Sequence, residues 1–255
     1  MTWNPAAYLK YADERTRPAA DLLARVPCEN PQIVVDLGCG PGNSTNILAD
    51  RYPRANLIGV DSSPEMLARA GEGGPKTAQW MKADVADWAP KEPVDVFFAN
   101  ALFHWLPERD RVFVRLMQHL KPGGALAIQM PRNEDAPITA VIRKAADEGP
   151  WREPLKAMTL RADVDEPRHY HRLLEAHARQ RDIWETTYLH ALTGQHAIFE
   201  WVKTTALNPY LETLQGDLRE GFLAAARARI AAAYPREPSG VTLFPFRRIF
   251  IVAEV

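Results

Sequence analysis

The sequence is poor in cysteine and has no long apolar run. Only two of its 255 residues are cysteines, Cys28 and Cys39. Their spacing matches neither a zinc site nor a disulfide framework, which favours a reducing, cytoplasmic compartment. The N-terminal segment lacks the apolar stretch of a signal peptide, and no window reaches the length of a membrane span. We therefore expect a cytoplasmic protein with no membrane partner.

The chain also lacks an excess of charge of either sign. Its 31 lysines and arginines nearly balance its 32 aspartates and glutamates, giving a formal net charge of -1. Nucleic-acid recognition usually needs a basic face, so no nucleic-acid partner is expected. Hydrophobic residues, by contrast, make up 46% of the chain, enough to fill one large α/β core.

In the first half of the chain, short apolar runs alternate with segments of helical character. The predicted strands are Ile33–Leu37, Ala55–Asp61, Ala78–Val85, Pro93–Asn100 and Gly124–Pro131. Strands and helices that alternate at this spacing indicate right-handed crossovers and a parallel sheet. The second half is predicted to be helical over residues 133–180 and in one long stretch from Gln195 to about Tyr234. The segments Asp182–Leu192 and LFPFRRIFIVAEV have strand composition.

The stretch VVDLGCGPGNST, Val34 to Thr45, places three glycines at alternate positions directly after the first predicted strand. Such a loop lets a ligand lie against the backbone, and many proteins bind a pyrophosphate in this way. Two residues disfavour a phosphate here, because Pro41 offers no N–H and Asp36 adds negative charge. Asn43 also replaces the last glycine of the dinucleotide fingerprint. A ligand with positive charge and no phosphate, such as S-adenosylmethionine, meets neither objection.

Polar residues follow the carboxyl ends of the predicted strands, where ligands bind in open parallel sheets. We expect Asp36 to hold the ammonium group of the ligand, directly or through water, and Asp61 to accept hydrogen bonds from both ribose hydroxyls. Asp84 is expected to accept from the adenine amino group while the Val85 N–H donates to a ring nitrogen. The predicted cofactor-binding residues are Asp36, Gly38, Gly40, Gly42, Asp61, Ser62, Met66, Asp84, Val85, Asn100 and Ala101.

With GVDSSPEML, ADV and FFANALFHWLP, the glycine loop resembles the class I S-adenosylmethionine-dependent methyltransferases. The likeness extends through WNPAAYLKYADERTRPAADLLARVP, IQMPRN, REPL, TTYLHAL and FRRIFIVAEV, so nearly the whole chain is similar to carboxyl methyltransferases that esterify trans-aconitate. The resemblance implies an α/β, Rossmann-like, mostly parallel sheet of seven strands with helices on both faces. It also implies that the last strand, Phe246–Ala253, is antiparallel and inserted beside the sixth, Trp184–Leu192.

The same resemblance implies the organisation of a single methyltransferase domain over residues 1–255. Its parts would be a helical N-terminal lid (1–30), a cofactor-binding core (31–132), helical insertions that cap the substrate (133–180 and 193–240) and the final strands (181–192 and 243–255). We expect a monomer that uses S-adenosylmethionine to form a methyl ester on a small polycarboxylate, leaving S-adenosylhomocysteine.

A polycarboxylate substrate needs cations, preferably arginine, whose guanidinium binds a carboxylate through two parallel hydrogen bonds. Arg15 is the first candidate, because its segment also carries tyrosines and is expected to fold over the site as a lid. His104 and Trp105 follow the fourth strand and are expected to border the reacting methyl group. The predicted substrate-binding residues are Tyr8, Arg15, His104, Trp105, Arg132, Arg152, Tyr170 and Trp201.

No catalytic base and no metal are predicted. A free carboxylate is already ionised at neutral pH, so its methylation needs positioning and not proton removal. Arg168, His169, His171 and Arg172 form a cluster that suggests a metal site. No cysteine or acid lies at ligand spacing from them, however, and we expect no metal there.

Three other functions stay open at this point. The first is a methyltransferase that acts on RNA or protein, which the balanced charge disfavours. The sequence NALF at residues 100–103 also disfavours it, because NPPY is expected there in enzymes that methylate amides or amines. The second is a nicotinamide-dependent oxidoreductase, disfavoured by Pro41 and Asn43. The third is a non-catalytic protein that binds S-adenosylmethionine, which the sequence does not distinguish because a displacement without a base leaves no catalytic signature.

Overall fold

The structure, a computed structural model, describes residues 12–156, 158 and 163–255, and for residues 12–15 only the backbone. The strands are β1 (Ile33–Leu37), β2 (Asn56–Asp61), β3 (Gln79–Lys82), β4 (Val94–Asn100), β5 (Leu120–Pro131), β6 (Gln180–Thr193) and β7 (Val241–Glu254). They form one seven-stranded sheet in the order β3-β2-β1-β4-β5-β7-β6. None of the described helices is both long enough and apolar enough to cross a membrane.

The sheet is parallel from β3 to β5 and changes direction at β7. Strands β1, β2, β3, β4 and β5 pair in parallel, whereas β7 pairs antiparallel to β5 over the register Ala125↔Glu254 to Pro131↔Arg248. Strand β7 lies between β5 and β6. The predicted α/β fold, with its mostly parallel sheet and inserted antiparallel last strand, is confirmed.

The described helices are α1 (Ala12–Leu23), α2 (Asn43–Arg51), α3 (Pro64–Gly73), α4 (Arg109–Met117), α5 (Pro137–Asp147), α6 (Arg152–Lys156), α7 (Pro167–Leu173), α8 (Ala197–Lys203), α9 (Asn208–Thr213) and α10 (Gly216–Ala233), with a 3-10 turn at Phe103–Trp105. The stretch from Gln195 to about Tyr234 is helical as predicted, but it is divided into three helices. Pro209 lies in the first turn of α9, and Gly216, at φ 52°, begins α10. Strand β5 also starts earlier than predicted, since it continues through the glycine pair at Gly124.

The described chain divides into two compact units, each with its own apolar core. The larger comprises the described residues within 13–131, 163–186 and 248–255. Its core combines residues from the first half of the chain with residues of the last strand, and Val35, Phe97, Phe113, Leu126 and Ile251 are all buried. The smaller comprises the described residues within 132–161 and 187–247. Its core contains several buried aromatic residues, among them Trp151, Phe199, Trp201, Phe222 and Phe244.

Candidate S-adenosylmethionine site

The carboxyl end of β1 leads into a loop whose three glycines have a left-handed backbone. Gly38, Gly40 and Gly42 have φ angles of 65°, 54° and 92°, a region that residues with a Cβ atom rarely adopt. The Gly38 N–H donates to the Val60 carbonyl at 2.7 Å, which ties the loop to strand β2. The loop is therefore held in one conformation before α2 begins at Asn43.

The space beside the three glycines differs. A Cβ atom on Gly38 would lie 2.8 Å from Leu102 Cδ1, and one on Gly42 would lie 3.2 Å from Trp80 Cη2. A Cβ atom on Gly40 would have no atom within 4 Å. Gly38 and Gly42 therefore allow close packing inside the protein, whereas Gly40 has the open space that a ligand needs to lie against the backbone. The sequence predicts that close-approach role for all three.

Asp36 is a buried carboxylate with one unused oxygen. Its side chain is 1% exposed, and its Oδ2 accepts hydrogen bonds from Ser44 Oγ at 2.7 Å and Thr45 Oγ1 at 2.6 Å. Its Oδ1 has no hydrogen-bond partner within the described residues. Burial raises the pKa of this carboxyl to about 7, against the lowering effect of the two hydroxyls. A cation beside Oδ1 would restore the ionised form and satisfy the unused oxygen.

Asp61, at the end of β2, joins the glycine loop to the next helix. Its Oδ2 accepts from the Gly40 N–H at 3.0 Å, and its Oδ1 accepts from the Ser63 N–H at 2.8 Å. Each carboxylate oxygen has two acceptor positions, so both keep capacity for a ribose hydroxyl. Ser63 caps α3 by accepting from the Met66 N–H at 3.3 Å, which leaves the predicted Ser62 as an exposed residue beside the cap.

The segment after β3 is anchored by an arginine from α4. Arg115 donates to the Val85 carbonyl at 2.6 Å, and the Val85 side chain is 4% exposed. Asp84 is exposed, and its Oδ1 accepts from the Ala86 N–H at 2.9 Å. An exposed carboxylate beside a fixed backbone segment suits the edge of a purine, the predicted role of Asp84 and Val85.

The end of β4 carries a strained residue next to a second unused oxygen. Ala101 has a φ of 60°, unusual for a residue with a Cβ atom, and its N–H donates to the Gln129 carbonyl at 2.9 Å. Asn100 is partly buried, and its Oδ1 lacks a hydrogen-bond partner in the described part of the chain. Strained backbone of this kind is concentrated at ligand sites.

These groups lie along one edge and one face of the sheet. Asp36 is in register with Phe98 of β4, and Asn100 is in register with Gln129 of β5. Residues in register face the same side of a sheet, as do residues two apart on one strand. Asp36, Asn100 and Gln129 therefore share a face at the carboxyl ends of three adjacent strands.

The polar groups of this site suit S-adenosylmethionine better than they suit a nucleotide. Asp36 offers a buried, unused carboxylate oxygen, which suits an ammonium group and opposes a phosphate. Pro41 takes an N–H away from the loop, and Asp61 already occupies the Gly40 N–H. Few backbone donors are therefore left for a pyrophosphate. The carboxylates of Asp36 and Asp61, by contrast, can accept hydrogen bonds from the cationic and hydroxyl groups of a ligand.

Comparison with known proteins identifies the family. Residues 34–124 match the family model described as a methyltransferase domain. Over 252 residues the chain is 50% identical to the trans-aconitate 2-methyltransferase of Azoarcus sp. (strain BH72), covering 99% of this chain and 98% of that protein. The chain belongs to the trans-aconitate 2-methyltransferase family.

Other relatives agree with that family and with the fold. The trans-aconitate 2-methyltransferase of Methylobacterium nodulans is 48% identical over 252 residues, covering 98% of this chain and 97% of that protein. The crystal structure of the YcgJ protein from Bacillus subtilis superposes with a TM-score of 0.61 at 14% identity, covering 93% of this chain and 97% of that one. At that identity the second match bears on the fold alone. Membership of the family confirms the predicted S-adenosylmethionine-dependent methyltransferase.

The predicted substrate residues are spread over both units. Tyr8 lies outside the described residues, and of Arg15 only the backbone is described. In the larger unit, His104 is 5% exposed and Trp105 is 48% exposed, with ring centroids 4.9 Å apart. In the smaller unit, Arg132 is 7% exposed directly after β5, and Arg152 is exposed on α6. Their substrate roles stay predictions.

Two further predicted substrate residues lie in the apolar cores. Tyr170 is 0% exposed and packs against Phe113, with ring centroids 5.4 Å apart. Trp201 is 2% exposed and stacks on His190 at 5.1 Å, among the aromatic rings of the smaller unit. Aromatic residues at helical spacing are ambiguous between packing and binding. The Tyr170 hydroxyl has no hydrogen-bond partner among the described residues, and the substrate roles of both residues stay predictions.

We expect Trp201→Ala to lower the free energy of unfolding by roughly 3–5 kcal/mol, because it leaves a cavity in an aromatic core. Trp201→Phe should restore most of that loss, and denaturant titration of both variants measures it. Packing alone predicts that neither change alters the Michaelis constant for the acceptor when the protein is folded. A Trp201→Phe variant of normal stability with a strongly raised Michaelis constant would support the predicted substrate role.

The histidine cluster in α7 has acidic neighbours that sequence spacing does not reveal. His169 Nε2 lies 2.7 Å from Asp110 Oδ2, and donor atoms of Asp110, Asp165 and His169 all lie within 4.8 Å of one another. The acids come from α4 and from the segment before α7, so no local motif marks them. Arg109, 7% exposed, donates to Asp165 at 3.0 Å and places a positive charge beside this group. That no metal binds here stays a prediction.

Proposed function

We propose that this protein transfers a methyl group from S-adenosylmethionine to a carboxylate of trans-aconitate, forming a methyl ester and S-adenosylhomocysteine. The observation that carries the proposal is 50% identity over 252 residues, nearly the full length of both chains, to a relative of that name. We propose further that it acts in the cytoplasm as a monomer and without a metal. The row of acidic groups at the sheet edge supports a cationic cofactor.

Acidic and backbone groups of the described chain support a proposed way of holding the cofactor. Asp36 Oδ1 accepts from the ammonium group, and the Asp61 carboxylate accepts from the ribose hydroxyls while keeping the glycine loop closed through Gly40. Asp84 and the Val85 N–H recognise the adenine edge. When bound, S-adenosylmethionine supplies an electrophilic methyl group, whose bond to sulfur breaks, leaving the electron pair on sulfur, as the bond to the carboxylate oxygen forms.

No residue of the chain needs to remove a proton in this reaction. The acceptor carboxylate is ionised near neutral pH, since free carboxyl groups titrate near 4. The protein therefore contributes by alignment and by exclusion of water, and alignment of reacting groups is worth several orders of magnitude in rate. Removing water also favours a step in which an anion and a cation neutralise each other. The buried side chain of His104 suits a dry acceptor site.

Arginine side chains suit the negative charge of a polycarboxylate acceptor. Arg15, Arg132 and Arg152 are proposed to pair with carboxylates of the substrate, and Trp105 with His104 is proposed to form the wall beside the methyl group. A tricarboxylate offers more anionic groups than the one that reacts. The remaining carboxylates set the orientation through bidentate contacts.

Methyl transfer to a panel of acceptors tests this function directly. The purified protein is incubated with methyl-labelled S-adenosylmethionine and with trans-aconitate, cis-aconitate, citrate, tricarballylate or succinate, and with the triamide of trans-aconitate as the matched uncharged control. We expect labelled product that mild base releases as methanol, with the highest kcat/KM for trans-aconitate and none for the triamide. Labelling of the triamide, or of no carboxylate at all, would contradict the proposal.

A further inference from the structure

Gln129, in the middle of the sheet near the carboxyl end of β5, has a fixed orientation and an unused donor. Its side chain is 0% exposed, and its Oε1 accepts from Arg248 Nη1 at 3.2 Å. A guanidinium can only donate, so the oxygen of the amide must face Arg248 and the NH₂ group must face away. That NH₂ nitrogen, Nε2, has no hydrogen-bond partner anywhere in the described chain. A buried donor without an acceptor is costly, which indicates a missing ligand.

Arg248 places a permanent positive charge beside this donor. It is 3% exposed and lies on β7 in register with Pro131, two residues from Gln129 on β5, so both side chains share one face of the sheet. Sequence analysis does not single out either residue, because both lie within apolar strand segments. Gln129 Nε2 is a hydrogen-bond donor and the guanidinium is a cation, a combination that suits an anionic oxygen group.

The pair is close to the groups that are proposed to hold the cofactor. Gln129 is in register with Asn100, and β5 is separated from β1, which carries Asp36, only by β4. Neighbouring strands lie about 4.8 Å apart and Gln129 lies two residues further along its strand than the position level with Asp36, so the two backbones are roughly 12 Å apart. Along this edge the charge changes from acidic at Asp36 to cationic at Arg248. A cationic cofactor and an anionic acceptor would therefore meet between them.

We propose that Gln129 Nε2 and the Arg248 guanidinium bind a carboxylate of the acceptor and thereby select polycarboxylates. This inference rests on the proposed function and adds two residues to its acceptor site. Gln129 is closed to solvent, so the acceptor reaches it only after the side chains above it move. In that dry environment a charge-assisted hydrogen bond is stronger than at the surface.

Gln129→Glu separates this role from a structural one. The change keeps the size of the side chain and still offers Arg248 an acceptor, now as an ion pair, so the fold is expected to survive. It removes the Nε2 donor of residue 129 and adds a negative charge that repels the carboxylates of the acceptor. We expect trans-aconitate to bind at least tenfold more weakly to the variant loaded with S-adenosylhomocysteine, measured by calorimetry, with unchanged affinity for S-adenosylhomocysteine itself.

Gln79→Glu is the matched control, because it makes the same change on β3, where Gln79 Nε2 donates to Asn56 Oδ1 at 3.0 Å. It should bind trans-aconitate as the wild type does. Gln129→Glu that binds trans-aconitate normally would overturn the inference, and so would a wild-type protein that binds no trans-aconitate. A wild type that binds trans-aconitate, loses binding with Gln129→Glu and yet forms no ester would contradict the proposed function and leave this inference standing.

Discussion

Replacing Asp36 with asparagine is expected to weaken S-adenosylmethionine binding by roughly 100-fold, because a charged hydrogen bond to the ammonium is lost and a donor takes its place. Ser44 and Thr45 both donate to Oδ2, so the asparagine carbonyl takes that position. The amide NH₂ then stands where Oδ1 stood and repels the ammonium. Calorimetric titration measures the loss. Asp95→Asn is the matched control, since Asp95 Oδ2 likewise accepts hydrogen bonds, there from the Gln32 and Ile33 N–H groups, but at the start of β4.

The same variant should be more stable than the wild type at alkaline pH. The Asp36 pKa of about 7 lies above the usual 3.8 because of burial, so the folded wild type binds a proton that the unfolded chain releases between these values. Its stability contribution is present at low pH and is lost as the pH rises through about 4 to 7. Asparagine has no such loss, and the difference in melting temperature should widen over that range. A constant difference from pH 4 to 8 would contradict the buried, proton-binding carboxyl.

Removing the Asp61 carboxylate is the second large expected effect. Asp61→Ala deletes the acceptor of the Gly40 and Ser63 N–H groups together with the proposed ribose contacts. Two or more hydrogen bonds to a charged group are lost, so S-adenosylmethionine should bind on the order of 100-fold more weakly. Adenine and methionine, each tested as a fragment without ribose, should lose much less affinity than the complete cofactor.

The assignment of Asp61 to the ribose depends on the larger loss of affinity for the complete cofactor than for the fragments without ribose. Asp61→Asn keeps an acceptor for one of the two backbone N–H groups and should show an intermediate loss. Unchanged affinity of Asp61→Ala for S-adenosylmethionine would contradict the assignment. An equal loss for the ribose-free fragments would instead make Asp61 a residue that only shapes the loop.

The cofactor side of the site could be predicted because its signals are local. Strand β1 ends at the predicted residue, and so do β2 at Asp61 and β4 at Asn100. A β-branched run followed by glycine or an acid marks a strand end at a parallel sheet edge, and such ends converge by topology. The order of the strands along the sequence was therefore enough to predict that Asp36, Asp61 and Asn100 belong to one site.

The acceptor side could not be predicted in the same way, because its members come together only in three dimensions. Gln129 and Arg248 are 119 residues apart in sequence, and each is a polar residue inside an apolar strand that periodicity assigns to the core. Tyr170 and Trp201 show the same difficulty, because aromatic residues at helical spacing suit both binding and packing, and the sequence does not show that both are buried. Likewise Asp110 meets His169 only after α4 and α7 pack together.

The claim on which the account depends is that the buried Asp36 carboxylate receives the cofactor's positive charge. Titration of the wild-type protein with S-adenosylmethionine near pH 6.5, in two buffers of different ionisation enthalpy, measures it as protons released on binding. We predict a net release in the wild type, since binding ionises a carboxyl that is largely protonated beforehand, and none in Asp36→Asn. Tight binding with no proton release in the wild type would contradict the account.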